Sequence, residues 1–232
     1  MDFENKDAAA TIAALDTQID TTQPRASPFK LPEPNRNNDH VYAYLRGCGI
    51  SGKIIRHCIE NGLLYESAHN HRCVFVGKNS DGRPKFACEH CIWGYWKGDV
   101  AGSDKRFSFH LPAKTPGSTT LAVFESAIDT LAHCELFPDW DGYRLSLSGT
   151  DALALTSFLE RNPQIKTVAL CLGNNEPEQQ AAKRTAEELG SKQISDLKII
   201  IEPPLDGKDY ADMLAIRQRQ NIQPTRQHRR EI

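Results

Sequence analysis

The stretch TTLAVFESAIDTLAHCELF, residues 119–137, ends an apolar, β-rich run in Glu125 and sets Asp129 one helical turn later. Two more acidic sets follow similar runs: Glu176 in GNNE (173–176), and Asp209 and Asp212 in LDGKDYADML (205–214). In parallel α/β sheets ligands bind outside the carboxyl ends of the strands, so these groups share one candidate rim. For Glu125 the competing account is a helix cap, where a negative charge is favoured by about 0.3–1 kcal/mol. A second constellation is CIWGYWKGDVAGSDKRF, which interleaves Trp93, Tyr95 and Trp96 with Lys97, Lys105 and Arg106. Aromatic platforms beside cations suit single-stranded nucleic acid, with Lys105 the best-placed phosphate contact. Aromatic packing in a small core is the competing account, above all for Trp93. A third is CEHC: Cys88 and Cys91 have zinc-knuckle spacing, and His69, His71 and Cys73 are the donors available to complete it. No second C-x2-C exists, and a pair of semi-buried thiols beside a hairpin is the simpler reading.

The elements that must position these groups are legible. From residue 119, TTLAVFE, YRLSLSGT, KTVALCLG and LKIIIEPP alternate with the helix-periodic SAIDTLAHCELF, DALALTSFLERN and EPEQQAAKRTAEELG, and DYADMLAIRQRQ closes the series. That alternation implies right-handed crossovers and a parallel sheet covered on both faces. Asp151 is placed to cap the second helix, Pro177 to start the third and Gly190 to stop it. Upstream, HVYAYLRGCGISGKIIRHC reads as helix, glycine break, helix. NSDGRPKFACEH supplies an Asp-Gly turn between two strands, and RFSFHL reads as another strand of the same small α+β unit. PAKTPGS marks a boundary. Residues 6–20 read as a weak helix, followed by the proline-rich linker TTQPRASPFKLPEPNRNND.

Composition narrows the classes. The chain of 232 residues is 39% hydrophobic and 25% charged, as in ordinary globular proteins. No apolar run approaches the roughly 18–20 residues that span a membrane, and the acidic N-terminus lacks the basic start of a signal peptide. Seven cysteines do not make a disulfide framework; reduced thiols in a cytoplasm are expected. Net charge is −2, yet residues 41–114 carry eleven Lys/Arg against six Asp/Glu, and the chain ends in an Arg-rich tail with Arg217, Arg219, Arg226, Arg229 and Arg230. Local basic regions of this kind suit contact with a polyanion at selected places. Walker loops, nucleophile elbows and Rossmann fingerprints are absent from the sequence.

VFESAIDTLA, SLSGTDALA, FLERNPQIKTVALCLGNNE, AAKRTAEEL and PPLDGKDYADML, in order over about residues 118–215, resemble the TOPRIM fold, and look closest to the primase-like TOPRIM of plasmid and conjugative-transposon proteins. YLRGCGISGKIIRHCIENGLLYE, CVFVGKNSDGRPKFAC and GSDKRFSFHLP resemble the uncharacterised domain that commonly precedes it. The resemblance implies Glu125 as general acid/base and Asp129 as its partner one turn on. It also implies an Asp-x-Asp pair holding Mg²⁺, with Lys208, Asp209 and Asp212 matching the closing Lys-Asp pattern. The central pair departs from the family: Asp-Asn-Asp-Glu-Ala-Gly is here Gly173-Asn174-Asn175-Glu176-Pro177-Glu178. Asparagine oxygens bring no charge to offset dehydration of a hard cation. Each lost charge is worth roughly 4 kcal/mol at a few Å in an effective dielectric near 20. Glu176 is the substitute ligand, its swing limited by Pro177.

The expectation is therefore an α/β chain, with a small α+β N-terminal domain followed by a TOPRIM-like, mainly parallel sheet flanked by helices. Its parts are an arm and linker at 1–39, the small domain at 40–114, the TOPRIM-like domain at 118–215 and a basic tail at 216–232. The expected function is nucleic-acid binding in replication or mobilisation of a mobile element, with Lys97, Lys105, Arg106 and Lys208 as contacts and a degenerate magnesium site drawing on Glu176, Asp209 and Asp212. Single-stranded or nicked DNA, and a relaxase, helicase or replication protein, are the implied partners; a membrane is not. The alternatives are an active Mg²⁺-dependent primase or nuclease, and a protein-interaction module that never meets nucleic acid.

Overall fold

A computed structural model describes residues 28–191 and 196–222. The weak helix expected at 6–20 and the arginines at 226, 229 and 230 lie outside the described residues. Two short helices open the described chain, α1 (Asp39–Gly47) and α2 (Gly52–Glu60). The break between them is set by Gly49, whose φ of +92° suits only glycine. Strands β1 (Leu64–Glu66), β2 (Cys73–Lys78), β3 (Pro84–His90) and β4 (Lys97–Asp99) form an antiparallel sheet in that order. The hairpin expected at Asp81-Gly82 joins β2 to β3, with Gly82 at φ +76°.

The second sheet has the order β5-β7-β6-β8-β9, built from β5 (His110–Leu111), β6 (Thr120–Phe124), β7 (Tyr143–Ser146), β8 (Thr167–Leu170) and β9 (Lys198–Ile201). All its pairs are parallel except β5 with β7. Between the strands run α3 (Ala127–Leu136), α4 (Leu153–Arg161) and α5 (Glu176–Ser191), and α6 (Tyr210–Ile222) closes the chain. Residues alternate along central β6: Leu121 and Val123 pack with Phe158 of α4 and Ala181 of α5, whereas Ala122 and Phe124 pack with Leu131 of α3 and Met213 of α6. Both faces of the sheet are thus buried, as parallel sheets require.

Three local expectations change. RFSFHL is not a strand of the small sheet: Lys105–Phe107 is a 3-10 turn, and His110–Leu111 pairs with β7 of the parallel sheet. The reason is Phe109, fully buried and edge-on to Phe75 at 5.3 Å, which draws this segment between the sheets. Asp151 accepts from the Leu153 amide at 2.6 Å but sits one residue before the N-cap Ala152. Gly190 does not stop α5, which continues to Ser191. One buried cluster runs from Val41, Leu45 and Phe75 to Phe124, Leu131 and Met213, so both sheets share a core.

That core holds an unusual polar pair. Arg144 and His133 are both buried; the Arg144 Nε–H donates to His133 Nδ1 at 3.0 Å, and the guanidinium lies 4.5 Å over Trp140. His133 must be neutral to accept, and burial with the Arg144 charge pushes its pKa down to about 3. The unfolded chain takes up this proton near pH 6.5 and the folded chain only near 3. Its contribution is therefore complete above pH 6.5 and is lost as pH falls toward 3. We expect on the order of 3 kcal/mol of stability to disappear across that window. Urea midpoints measured against pH should show it, and His133→Asn, which keeps an acceptor but no proton site, should flatten the slope. Equal slopes in the two proteins would contradict it.

Candidate nucleic-acid interface

Glu125 directly follows β6, at the carboxyl edge of the sheet. It does not cap α3. Ser126 does: its Oγ accepts from the Asp129 amide at 3.2 Å and donates to Asp129 Oδ2 at 2.6 Å. Released from that duty, Glu125 meets Lys97 of β4, whose ammonium lies 2.7 Å from both carboxylate oxygens. The first sheet thus delivers a cation to the strand-end glutamate of the second.

Asp129 is buried, and it also accepts from the Ala211 amide at 3.1 Å. Burial, reinforced by the Asp209 carboxylate, lifts its pKa to about 7. Asp209 and Asp212 form a reciprocal cap on α6: Asp209 Oδ1 accepts from the Asp212 amide at 2.7 Å, and Asp212 Oδ2 from the Lys208 amide at 3.1 Å. Lys208 itself is exposed, with its ammonium 3.8 Å from Asp209.

These groups converge on one groove of about 680 Å³, whose lining includes Glu125, Asp129, Lys208, Asp209 and Asp212 from the parallel sheet. From the other unit come Tyr44, His90, Trp93, Tyr95 and Lys97. The aromatics do not fill the small core: Trp93 is 67% exposed, Tyr95 wholly so, and Trp96 48%. The loop that presents them is closed by the Cys91 amide donating to the Trp96 carbonyl at 2.9 Å. Arg72 stacks 4.0 Å over Trp96.

Other expected residues stand apart. Glu176 is exposed, bonded to Gln180, and does not line the groove. Glu178 is the side chain that turns back: Gly173 N–H donates to its Oε2, and the Asn175 amide side chain to its Oε1. Asn175 Oδ1 in turn caps the Glu178 amide at 3.0 Å. The spacing Asn-x-x-Glu was the available signal for this closed motif, and sequence reasoning missed it. Lys105 pairs with Asp99 at 3.3 Å and Arg106 with Asp104 at 2.7 Å, both outside the groove lining. Cys88 is buried and Cys91 half-buried; among the described residues neither belongs to a group of three potential ligands, which His71 joins by another route.

This arrangement of an antiparallel sheet and a mainly parallel one is a fold shared with solved primase catalytic cores. Among solved structures, the chain is similar to the primase fragment of the bacteriophage T7 primase-helicase (16% identity, TM-score 0.54, covering 76% of this chain and 71% of that one). It is similar to the DnaG primase catalytic domain bound to single-stranded DNA (14%, 0.53, 80% and 70%) and to a DNA primase domain from Pseudomonas aeruginosa (16%, 0.52, 81% and 71%). No curated protein matches in a sequence search. Residues 122–214 are a Toprim-like domain, preceded at 43–115 by a domain of the family described as protein of unknown function DUF3991.

Proposed function

We propose that this chain is a nucleic-acid-binding, primase-like TOPRIM protein of a mobile genetic element, acting in plasmid or transposon replication or mobilisation by binding rather than by phosphoryl transfer. The observation that carries it is the groove, in which exposed Trp93 and Tyr95 stand beside Lys97 and Lys208 at the acidic edge of the sheet. Stacking on such platforms contributes roughly 1–3 kcal/mol per base and tolerates any sequence. Single-stranded or nicked DNA in the cytoplasm is the ligand, and a relaxase, helicase or replication protein the companion.

Magnesium fits the donor set poorly, which favours binding over catalysis. Both oxygens of Glu125 face an ammonium, Asp209 and Asp212 each spend an oxygen on a helix cap, and Asp129 is buried with a raised pKa. Positions 173 and 175 bring no charge, and Glu178 is folded onto them.

The test is fluorescence anisotropy with a labelled single-stranded oligonucleotide. Wild type should bind with an affinity that falls steeply with salt. Trp93→Ala/Tyr95→Ala should bind at least tenfold more weakly. Failure to bind single-stranded or nicked DNA even at low salt sinks the reading and favours a protein-interaction module. The shared groove also supports a second reading, an active Mg²⁺-dependent primase or nuclease. Primer synthesis or nicking that needs Mg²⁺ and vanishes in Glu125→Ala would establish that one instead.

A further inference from the structure

Away from the acidic edge, three side chains meet that none of the preceding chemistry uses. Glu66 ends β1 with no exposed surface, yet carries a carboxylate. His40, at the start of α1, places Nδ1 2.9 Å from Glu66 Oε1, and His71, in the loop before β2, places Nδ1 2.5 Å from the same oxygen. Asn35 Nδ2 adds a third nitrogen at 2.7 Å. Glu66 Oε2 already accepts from the amides of His40 at 3.0 Å and Val41 at 3.3 Å.

Oε1 is overcrowded. A carboxylate oxygen offers about two lone-pair directions, and three nitrogens point at this one. One cation shared by Oε1 and the two imidazole nitrogens removes the excess, because each ring then gives a lone pair to the metal instead of a proton to the oxygen. The three ligand atoms lie within 4.8 Å of one another, a spread that a single ion spans after small side-chain shifts. The supports around them suit a metal centre: Asn35 Nδ2 donates to Oε1 and two backbone amides donate to Oε2, which together fix the carboxylate's orientation. Both histidines are partly exposed, which leaves an open position toward solvent.

We propose that His40, Glu66 and His71 bind a divalent transition-metal ion, zinc by its preference for two imidazoles and one carboxylate, with water completing four-fold coordination. Two nitrogen donors disfavour Mg²⁺ and Ca²⁺, which take oxygen ligands. The three ligands come from α1, β1 and the loop before β2, so the ion clamps the start of α1 to the antiparallel sheet. Trp93 packs edge-on against both rings, at 5.6 Å and 5.7 Å, so the clamp also braces one wall of the groove. The site stands on its own whether or not that groove takes nucleic acid.

Seven free thiols make adventitious zinc a hazard, so the test separates the sites. Metal-stripped protein is titrated with zinc against a chromogenic chelator, and metal content is measured after dialysis. Wild type and Cys91→Ser should each keep one zinc per chain and gain thermal stability on binding. His40→Ala and His71→Asn should bind it at least a hundredfold more weakly; asparagine is chosen because His71 sits at φ +51°, a conformation asparagine tolerates. Cobalt(II) in wild type should give a spectrum without a thiolate charge-transfer band. No zinc in wild type, zinc retained by both histidine variants, loss in Cys91→Ser, or a thiolate band would each overturn the site.

Discussion

Introducing aspartates where the resemblance implies a metal-binding pair, as Gly173→Asp with Asn175→Asp, is expected to leave magnesium affinity no better than wild type and to cost about 2–3 kcal/mol of stability. A Cβ at position 173 would lie 2.6 Å from the Lys208 carbonyl oxygen and 2.6 Å from Glu178 Oε2. The Lys208 carbonyl cannot retreat cheaply. It accepts from the Asn174 amide at 2.7 Å, and the Asn174 side chain donates to the carbonyls of Pro204 at 2.9 Å and Gly207 at 2.8 Å. The loop before α6 is therefore stapled across the place where a metal-binding carboxylate would stand. Asn175→Asp alone keeps the cap on the Glu178 amide but sets two carboxylates in contact, so it too should destabilise. Calorimetric Mg²⁺ titration and urea unfolding of the single and double variants check this. A double variant that is as stable as wild type and binds Mg²⁺ at micromolar concentration would show that the loop yields.

The second large effect is structural. Gly77→Ala is expected to abolish the folded state at 25 °C, a loss of more than about 4 kcal/mol. An alanine Cβ there would meet the Phe107 carbonyl oxygen at 1.7 Å and the Ser108 carbonyl carbon at 2.9 Å, both backbone atoms. Strand β2 has no freedom to back away: it is paired on both sides, and the Val76 amide donates to Leu63 at 2.9 Å. The register shift between Gly77 and Lys78 marks the same close approach. Near-UV circular dichroism and thermal melts give the readout. Gly47→Ala, at a helix end with nothing within 4 Å of the added carbon, is the control and should be neutral or slightly stabilising. A cooperative melt for Gly77→Ala near the wild-type temperature would refute the expectation.

The two variants mark the limit of sequence reasoning. Gly77 reads as one more residue of VFVGK, and Gly173 reads as a lost aspartate; only packed neighbours reveal that both are backbone-to-backbone contacts. Glu125 was legible as a strand-end carboxylate, because the continuous apolar run Leu121–Phe124 ends there. That Ser126 rather than Glu125 caps α3 was also within reach, since Ser-x-x-Asp is a capping pattern. The exposure of Trp93 and Tyr95 was not: an aromatic beside a glycine in a short loop fits core and surface equally well.

What the sequence determined by itself is the alternation of strands and helices from residue 119, the parallel sheet it implies with Glu125 at its edge, and the uncharged Gly173 and Asn175 after the third of those strands. These follow from periodicity, caps and residue identity, which act over one or two helical turns. Tertiary structure alone decided which charges meet. Lys97 reaches Glu125 across 28 residues, Asp129 holds the Ala211 amide across 82, and His40 finds Glu66 across 26. The physical reason is the shared core: burying Phe75, Phe109 and Phe124 together fixes the first sheet against the second, and the polar pairs at their border follow from that packing.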